Sequence, residues 1–233
     1  MRPCVVVNVA MSADGKLSTR ERKQVKISGT QDFARVDQMK AGSDAVMVGI
    51  GTVIADDPSL TVKNPAARME RRKLGLDEHP VRVVIDSLAR IPLAASVLTK
   101  GEGKRVVVVS KRADAKKIAA LKNVATVIVA GDHQIDLSRA MDELGGMGIK
   151  RLMVEGGGTL IGALFRAGLV DEVYSFVGNI IIGGKDAPTL ADGIGCVKES
   201  EFTRLALVEA QRIEDGILLH WTVVRKEKPG SGN

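Results

Sequence analysis

The chain has 233 residues, of which 45% are hydrophobic and 27% charged with both signs interspersed, and it carries a net charge of +6. Such a composition excludes a disordered chain, and no apolar run reaches the about 18 residues needed to span a bilayer. Aromatics at 3% leave too few rings for the stacking platforms of a nucleic-acid binder, so the positive charge is read as solubility or as attraction for phosphorylated small molecules.

The N-terminus, MRPCVVVNVAMSADG, starts like a secretory signal, but Asn8 interrupts the apolar run and Asp14 follows at once. A buried first strand over Val5–Val9 is predicted instead, and with it a cytoplasmic protein. Further short β-branched runs follow at Ala45–Val48, Val81–Ile85, Arg105–Val109, Thr126–Val129, Arg151–Val154 and Glu172–Val177. Their near-continuous apolarity is that of strands covered on both faces. Helical patterns over Asp32–Lys40, Asp114–Leu121, Ile135–Leu144 and Thr159–Ala167 alternate with them, which predicts an α/β fold: a largely parallel central sheet flanked by helices.

Asp14–Ser28, Lys63–Pro80 and Gly178–Gly195 read as loops. Phe202–Gln211 and Ile217–Val224, separated by Arg212–Gly216, read as a terminal antiparallel hairpin with a Glu-Asp-Gly turn. Residues 1–225 are thus expected to form one domain, and KEKPGSGN, residues 226–233, a flexible tail. Cys4 and Cys196 stand far apart without neighbouring histidines, so neither a disulfide nor a metal site is expected. The sequence also lacks the H-x-E and P-C-x-x-C signature of zinc deaminases.

Three polar stretches carry candidate chemistry. VEGGGTLIGA, Val154–Ala163, places glycines at a strand-to-helix turn, where amides and the positive helix end suit a phosphate. Ile161 stands where a third fingerprint glycine would be, so a dinucleotide motif of the usual spacing is absent, and a tight turn capped by Thr159 is the competing reading. In GNIIIGGKD a glycine replaces the lysine of a phosphate loop and Pro188 prevents a following helix. VMVGIGTVIADDPSLTV, Val46–Val62, ends a strand at its glycines, offers Thr52 as the cap of a short helical turn, and stops that turn at Asp57-Pro58. Adjacent carboxylates diverge on a helix, so Asp56 and Asp57 make poor joint metal ligands.

Asn8, buried in a strand pattern, needs partners, which could include ligand groups at the C-terminal edge of the sheet. Ser87 and Arg90 in VIDSLARIP follow a strand, where hydroxyl and guanidinium could hold a phosphate. His79, His133 and His220 form no cluster in the sequence, and incidental roles are expected for them.

MSADGK, VGIGTVIADDPSLTV, VRVVIDSLARIP and VEGGGTLIGALFRAGLVDEV occur in an order that resembles the pyrimidine reductases of riboflavin biosynthesis, over about Val5 to Thr189. The resemblance implies a dihydrofolate reductase-like fold and NADPH as cofactor, with hydride passing to C1′ of an opened ribose. Without the deaminase cysteines the chain resembles the standalone archaeal or fungal type, which implies 2,5-diamino-6-ribosylamino-4(3H)-pyrimidinone 5′-phosphate as substrate.

Carried over by motif, the resemblance implies that Thr52 and Asp56 contact the cofactor, that Ser87 lies near its adenosine end, and that Gly157, Gly158, Thr159, Leu160 and Ile161 wrap its pyrophosphate. Glu155, Leu60 and Asn8 are expected on the substrate side, with Asp56 and Glu155 the carboxylates to test in catalysis. Lys40 and Lys63 occupy positions where the family often shows phosphate-binding arginine; lysine keeps the charge without the bidentate fork. Gln24 and Lys26 align with substrate- and cofactor-contacting positions. Preference for NADPH over NADH would rest on Ser87 and Arg90, with Lys111 and Arg112 behind them. A homodimer through the C-terminal strands is implied, with no nucleic-acid or membrane partner. The alternatives are reduction of the deaminated pyrimidine or of a dihydrofolate-type pteridine, and a non-enzymatic nucleotide- or RNA-binding module.

Overall fold

The computed structural model describes residues 1–23 and 25–225, so the expected tail and Gln24 lie outside the described residues. Nine strands are present among them: β1 Cys4–Met11, β2 Ala45–Gly49, β3 Val81–Ile85, β4 Arg105–Val109, β5 Thr126–Val129, β6 Arg151–Gly156, β7 Glu172–Val177, β8 Arg204–Ile213 and β9 Gly216–Val224. They form one sheet in the order β5-β4-β3-β2-β6-β1-β7-β9-β8. Neighbours from β5 to β7 pair in parallel, and β9 and β8 join antiparallel, as the predicted hairpin requires.

The helices are α1 Thr30–Ala41, α2 Ile50–Asp56, α3 Pro65–Lys73, α4 Ser96–Thr99, α5 Ala115–Leu121, α6 Leu137–Gly146 and α7 Gly158–Arg166. Strand side chains alternate between two apolar layers. Val5, Val7, Val83, Val106, Leu152 and Val154 pack against Met141 and Leu144 of α6 and Ile161 and Leu164 of α7. Val46, Val48, Val84, Val107 and Met153 face the other way, onto Ile50 and Val53 of α2, Val97 and Leu98 of α4 and Leu121 of α5, with Val36 and Met39 of α1 beside them. Each fully buried valine or leucine removes from water surface that stabilises the fold by about 1.5–3 kcal/mol.

Several expectations are corrected. Lys63–Pro80 is not a loop throughout, because α3 occupies its first half. Asn64 accepts from the Ala66 and Ala67 amides as N-cap, Pro65 opens the helix, and Arg71 reaches across to the carbonyls of Ala41 and Ser43. The hairpin loop is shorter than Arg212–Gly216: Ile213 pairs with Gly216, leaving Glu214 and Asp215 as the turn. β5 is not covered on both faces, since as the edge of the sheet it keeps Thr126 and Val129 exposed. No helix among the described residues is long and apolar enough to cross a membrane.

Candidate active site

The topology creates one obvious crevice. β2 and β6 are adjacent and parallel, yet α2 leaves β2 toward one face of the sheet while α7 leaves β6 toward the other. Between two such turns, outside the carboxyl ends of the strands, an α/β sheet opens a binding cleft. The turns face each other closely: a Cβ placed on Gly157 would lie 3.3 Å from Thr52 Oγ1, and one on Gly49 would lie 3.6 Å from Leu160 Cβ.

On the α7 side, Gly156 has φ +126°, a conformation that favours glycine, and a side chain there would meet open space. The N-cap of α7 is Gly157, so Thr159 does not cap the helix but sits in its first turn, exposed. Leu160 and Ile161 both donate their amides to the Gly157 carbonyl and bury their side chains in the core. They are therefore committed to the helix, whereas the amides of Gly158 and Thr159, in its first turn, have no acceptor within α7. Gly158 and Gly162 are glycines for another reason. A Cβ on Gly158 would collide with the Thr189 carbonyl, and one on Gly162 with the Asp192 carbonyl, because the segment 189–192 crosses this helix. Asp192 secures the crossing by donating its amide to the Gly158 carbonyl and accepting from the Thr189 amide and hydroxyl.

On the α2 side, Gly49 is the N-cap and Thr52 lies inside the helix, so the expected Thr52 cap is absent. Asp56 ends α2 with its side chain exposed, and Asp57 follows as a left-handed C-cap at φ +43°. Asp57 also anchors α4, accepting from the Ser96 amide at 2.7 Å and the Ser96 hydroxyl at 2.6 Å. Those bonds hold its carboxyl below the usual carboxylate range. Leu60, expected as pocket wall, is 3% exposed and belongs to the apolar layer beneath α2.

A polar row crosses the sheet under α1. Val7 pairs with Val154, so Asn8 and Glu155 are the next residues on neighbouring strands. α1 supplies a partner to each. Lys40 Nζ stands 3.0 Å from Glu155 Oε1, with side chains 13% and 19% exposed. The contact is off the line of a hydrogen bond, and Oε1 has no hydrogen-bond partner among the described residues. Arg35 donates to Asn8 Oδ1 at 2.7 Å and to Asp32 at 2.8 Å. The row continues through Tyr174, whose ring lies 6.0 Å from the Arg35 guanidinium and stacks on His220 at 4.0 Å. Burial, and then the Glu172 charge, push the Tyr174 phenol up, so it stays neutral.

Lys63 donates to the hydroxyls of Ser59 at 2.8 Å and Thr61 at 2.9 Å. Burial, followed by the nearby Lys40 charge, lowers its pKa. Its position is fixed from α1, because Asp37 accepts from the Lys63 and Asn64 amides. Two cations held near each other, Lys40 half-buried and Lys63 exposed, make a place for an anion such as a phosphate. Lys26 lies apart from this group and lines a cavity of about 240 Å³ with Phe176, Asn179 and Glu214.

Beyond β3 and β4, the Ser87 carbonyl accepts from both the amide and the hydroxyl of Ser110. That bond brings Ser87 beside the segment that continues into Lys111 and Arg112. Lys111 pairs with Asp132 at 2.8 Å in an exposed bridge, while Arg90 stands 3.6 Å from the buried Asp86.

The domain model described as the RibD C-terminal domain matches residues 3–219. The chain belongs to that family. It is 47% identical over 216 residues to a 2,5-diamino-6-ribosylamino-4(3H)-pyrimidinone 5′-phosphate reductase of Archaeoglobus fulgidus, covering 93% of this chain and 96% of the relative. A protein of the same name from Methanothermobacter thermautotrophicus is 42% identical over 223 residues, covering 96% and 99%. Among solved structures, RibD of Acinetobacter baumannii superposes with a TM-score of 0.78 at 25% identity, over 96% of this chain and 58% of that one. The sheet with its C-terminal hairpin is the dihydrofolate reductase-like fold of the RibD reductase domains.

Within that family fold, Arg35, Tyr174 and Ser96 are positions that the sequence reading missed. The spacing of Asp32 and Arg35, one helical turn apart and on the side of Val36 and Met39, was the available signal for an inward-facing arginine. His220, expected to be incidental, is held by Tyr174 and by Glu172 at 3.2 Å.

Proposed function

We propose that the chain reduces 2,5-diamino-6-ribosylamino-4(3H)-pyrimidinone 5′-phosphate with NADPH, giving the ribitylamino product of riboflavin biosynthesis. One observation carries this reading: a glycine turn and helix end on one side of the crevice, and a carboxylate-amide row with two adjoining lysines on the other, in a chain 47% identical to a reductase of that name. The cleft thus offers a place for a diphosphate opposite a place for a phosphorylated base.

The residues fit the cofactor. Gly156 leaves open space where a Cβ would stand, and the first turn of α7 leaves the Gly158 and Thr159 amides without helical acceptors, so together they suit the pyrophosphate. Thr52 and Asp56 line the nicotinamide half. Ser87, Arg90, Lys111 and Arg112 surround the adenosine end, where their positive charge favours a 2′-phosphate and hence NADPH over NADH. Held there, NADPH would supply the hydride for the new C–H bond at C1′ of the ring-opened imine.

The chain's own residues orient the reactants and manage charge. Lys63, with Ser59 and Thr61, and Lys40 hold the 5′-phosphate end. Glu155 accepts from the amino groups of the pyrimidine, and Asn8, its carbonyl fixed by Arg35, offers its amide N–H. As the C=N double bond becomes single, the nitrogen takes up a proton; Glu155 and Asp56 are the carboxylates to which we assign holding or relaying it. If Asp56→Asn and Glu155→Gln both keep wild-type kcat and substrate KM, these assignments fall.

Residues 1–225 would act as one reductase domain in the cytoplasm, as a homodimer without nucleic-acid or membrane partners. Support for the dimer comes from β8, an edge strand that exposes Leu205, Leu207 and Val208 together with an open backbone edge, features that a second copy would cover. Sedimentation should show a dimer, and Leu207→Lys should yield monomers.

A further inference from the structure

The turn joining β8 and β9 reaches the substrate side of the molecule through one side chain. Glu214 has φ +52°, in the left-handed region where glycine, asparagine or aspartate would sit at lower cost in a two-residue hairpin turn. Its carboxylate turns back onto the start of α1. Oε1 accepts from the Thr30 hydroxyl at 3.1 Å, and Oε2 is buried with no hydrogen-bond partner among the described residues. Gly29, the N-cap of α1, brings no capping side chain, and a Cβ on it would collide with this carboxylate.

Three other helices show what a local cap looks like, whereas α7, with Gly157 at its N-cap, lacks one as α1 does. α3, α5 and α6 are capped locally by Asn64, Asp114 and Asp136. α1, which carries Arg35 and Lys40, has no such residue. Beside Asp32 in the first turn, a second negative charge at its positive end comes from a residue 184 positions away, bonded to the Thr30 hydroxyl rather than to a backbone amide. The far end of α1 is already fixed, because Arg71 holds the Ala41 and Ser43 carbonyls. The N-terminal end is therefore the one whose height above the sheet remains to be set, and Arg35 with its Asn8 contact lies nearer to it than Lys40 does.

We propose that Glu214 is a positioning residue: it holds the start of α1 from the C-terminal hairpin and thereby sets how Arg35 and Asn8 meet the pyrimidine substrate. The inference rests on the reading that α1 and the Asn8–Glu155 row face the substrate. It assigns the hairpin a part in binding that neither its exposure nor its distance along the chain suggests.

Glu214→Gly tests it, because this change removes the carboxylate while relieving the backbone. Steady-state kinetics should show the substrate KM raised about fivefold, the scale of one lost charge at a helix end, with the NADPH KM unchanged and the melting temperature held or raised. Glu214→Gln, which keeps an acceptor without the charge, should fall between. An unchanged substrate KM in Glu214→Gly overturns the inference, as does a parallel rise in both KM values with a lowered melting temperature, which would mean general loosening. Lys40→Ala in the same assay separates the two claims. A raised substrate KM there, with none in Glu214→Gly, rejects the role of Glu214 alone; no rise in Lys40→Ala rejects the site reading and this inference with it.

Discussion

Lys40 and Glu155 should act as one unit in substrate binding, and a double-mutant cycle measures this directly. At 3.0 Å and an effective dielectric of about 20, the gross attraction of two unit charges is about 5 kcal/mol. Desolvation of side chains only 13% and 19% exposed takes back more than half, leaving a net coupling of about 2 kcal/mol, roughly thirtyfold in kcat/KM. Lys40→Met keeps the length of the side chain and Glu155→Gln its shape. Each single variant leaves a buried charge without its counter-ion, so each should lose most of the substrate affinity; the double variant should be little worse than the poorer single one. The readout is kcat/KM for the pyrimidine substrate at saturating NADPH, with thermal melting as a check on folding. Strictly additive losses would refute the coupling and return the two residues to separate roles.

Lys63, lowered by burial and by Lys40, should lose its proton earlier than an ordinary lysine, so the substrate KM should climb with rising pH below the range where an ordinary lysine titrates; Lys63→Arg should move that climb upward. His79 is 5% exposed, and burial, then the Arg82 charge, depresses its pKa. The unfolded chain therefore takes up the proton first, near about pH 6.5, and the stability due to neutral His79 is lost as pH falls from there toward the lower folded value. Melting curves should show this loss in the native chain and a flatter profile in His79→Gln. Gly162→Ala, whose Cβ would meet the Asp192 carbonyl, should cost about 2 kcal/mol by chemical denaturation and weaken NADPH binding. Gly51→Ala, with open space around it inside α2, should instead gain about 0.5–1 kcal/mol.

The parallel core was legible because Val81–Ile85, Arg105–Val109 and Glu172–Val177 are short, β-branched and apolar, and the structure keeps those limits. α3 was hidden because PAARMERRK is mostly charged and owes its place to long-range bonds, from Arg71 to Ala41 and Ser43, that no local pattern announces. α4 depends in the same way on Asp57, 39 residues before Ser96. Placement of β6 between β1 and β2 leaves no trace in periodicity, yet it is what puts Glu155 beside Asn8 and opens the cleft. The residues of the glycine run divide in a way that the sequence does not show: Gly156 faces open space, whereas Gly158 and Gly162 yield to the crossing segment 189–192. Thr159 and Thr52 suggested caps by residue type alone, and a glycine, two residues earlier for Thr159 and three for Thr52, took that position.

The central claim is hydride transfer from NADPH to the ribosyl carbon of the diamino pyrimidine. The direct measurement incubates the purified chain with the diamino substrate and NADPH deuterated at the transferable position of the nicotinamide, then locates the label by mass spectrometry. Deuterium at C1′ of a ribityl side chain, with matching loss of NADPH absorbance, is the expected result. Turnover with the deaminated pyrimidine or with dihydrofolate but none with the diamino compound would contradict it, as would salt-sensitive RNA binding in a chain that does not bind NADPH.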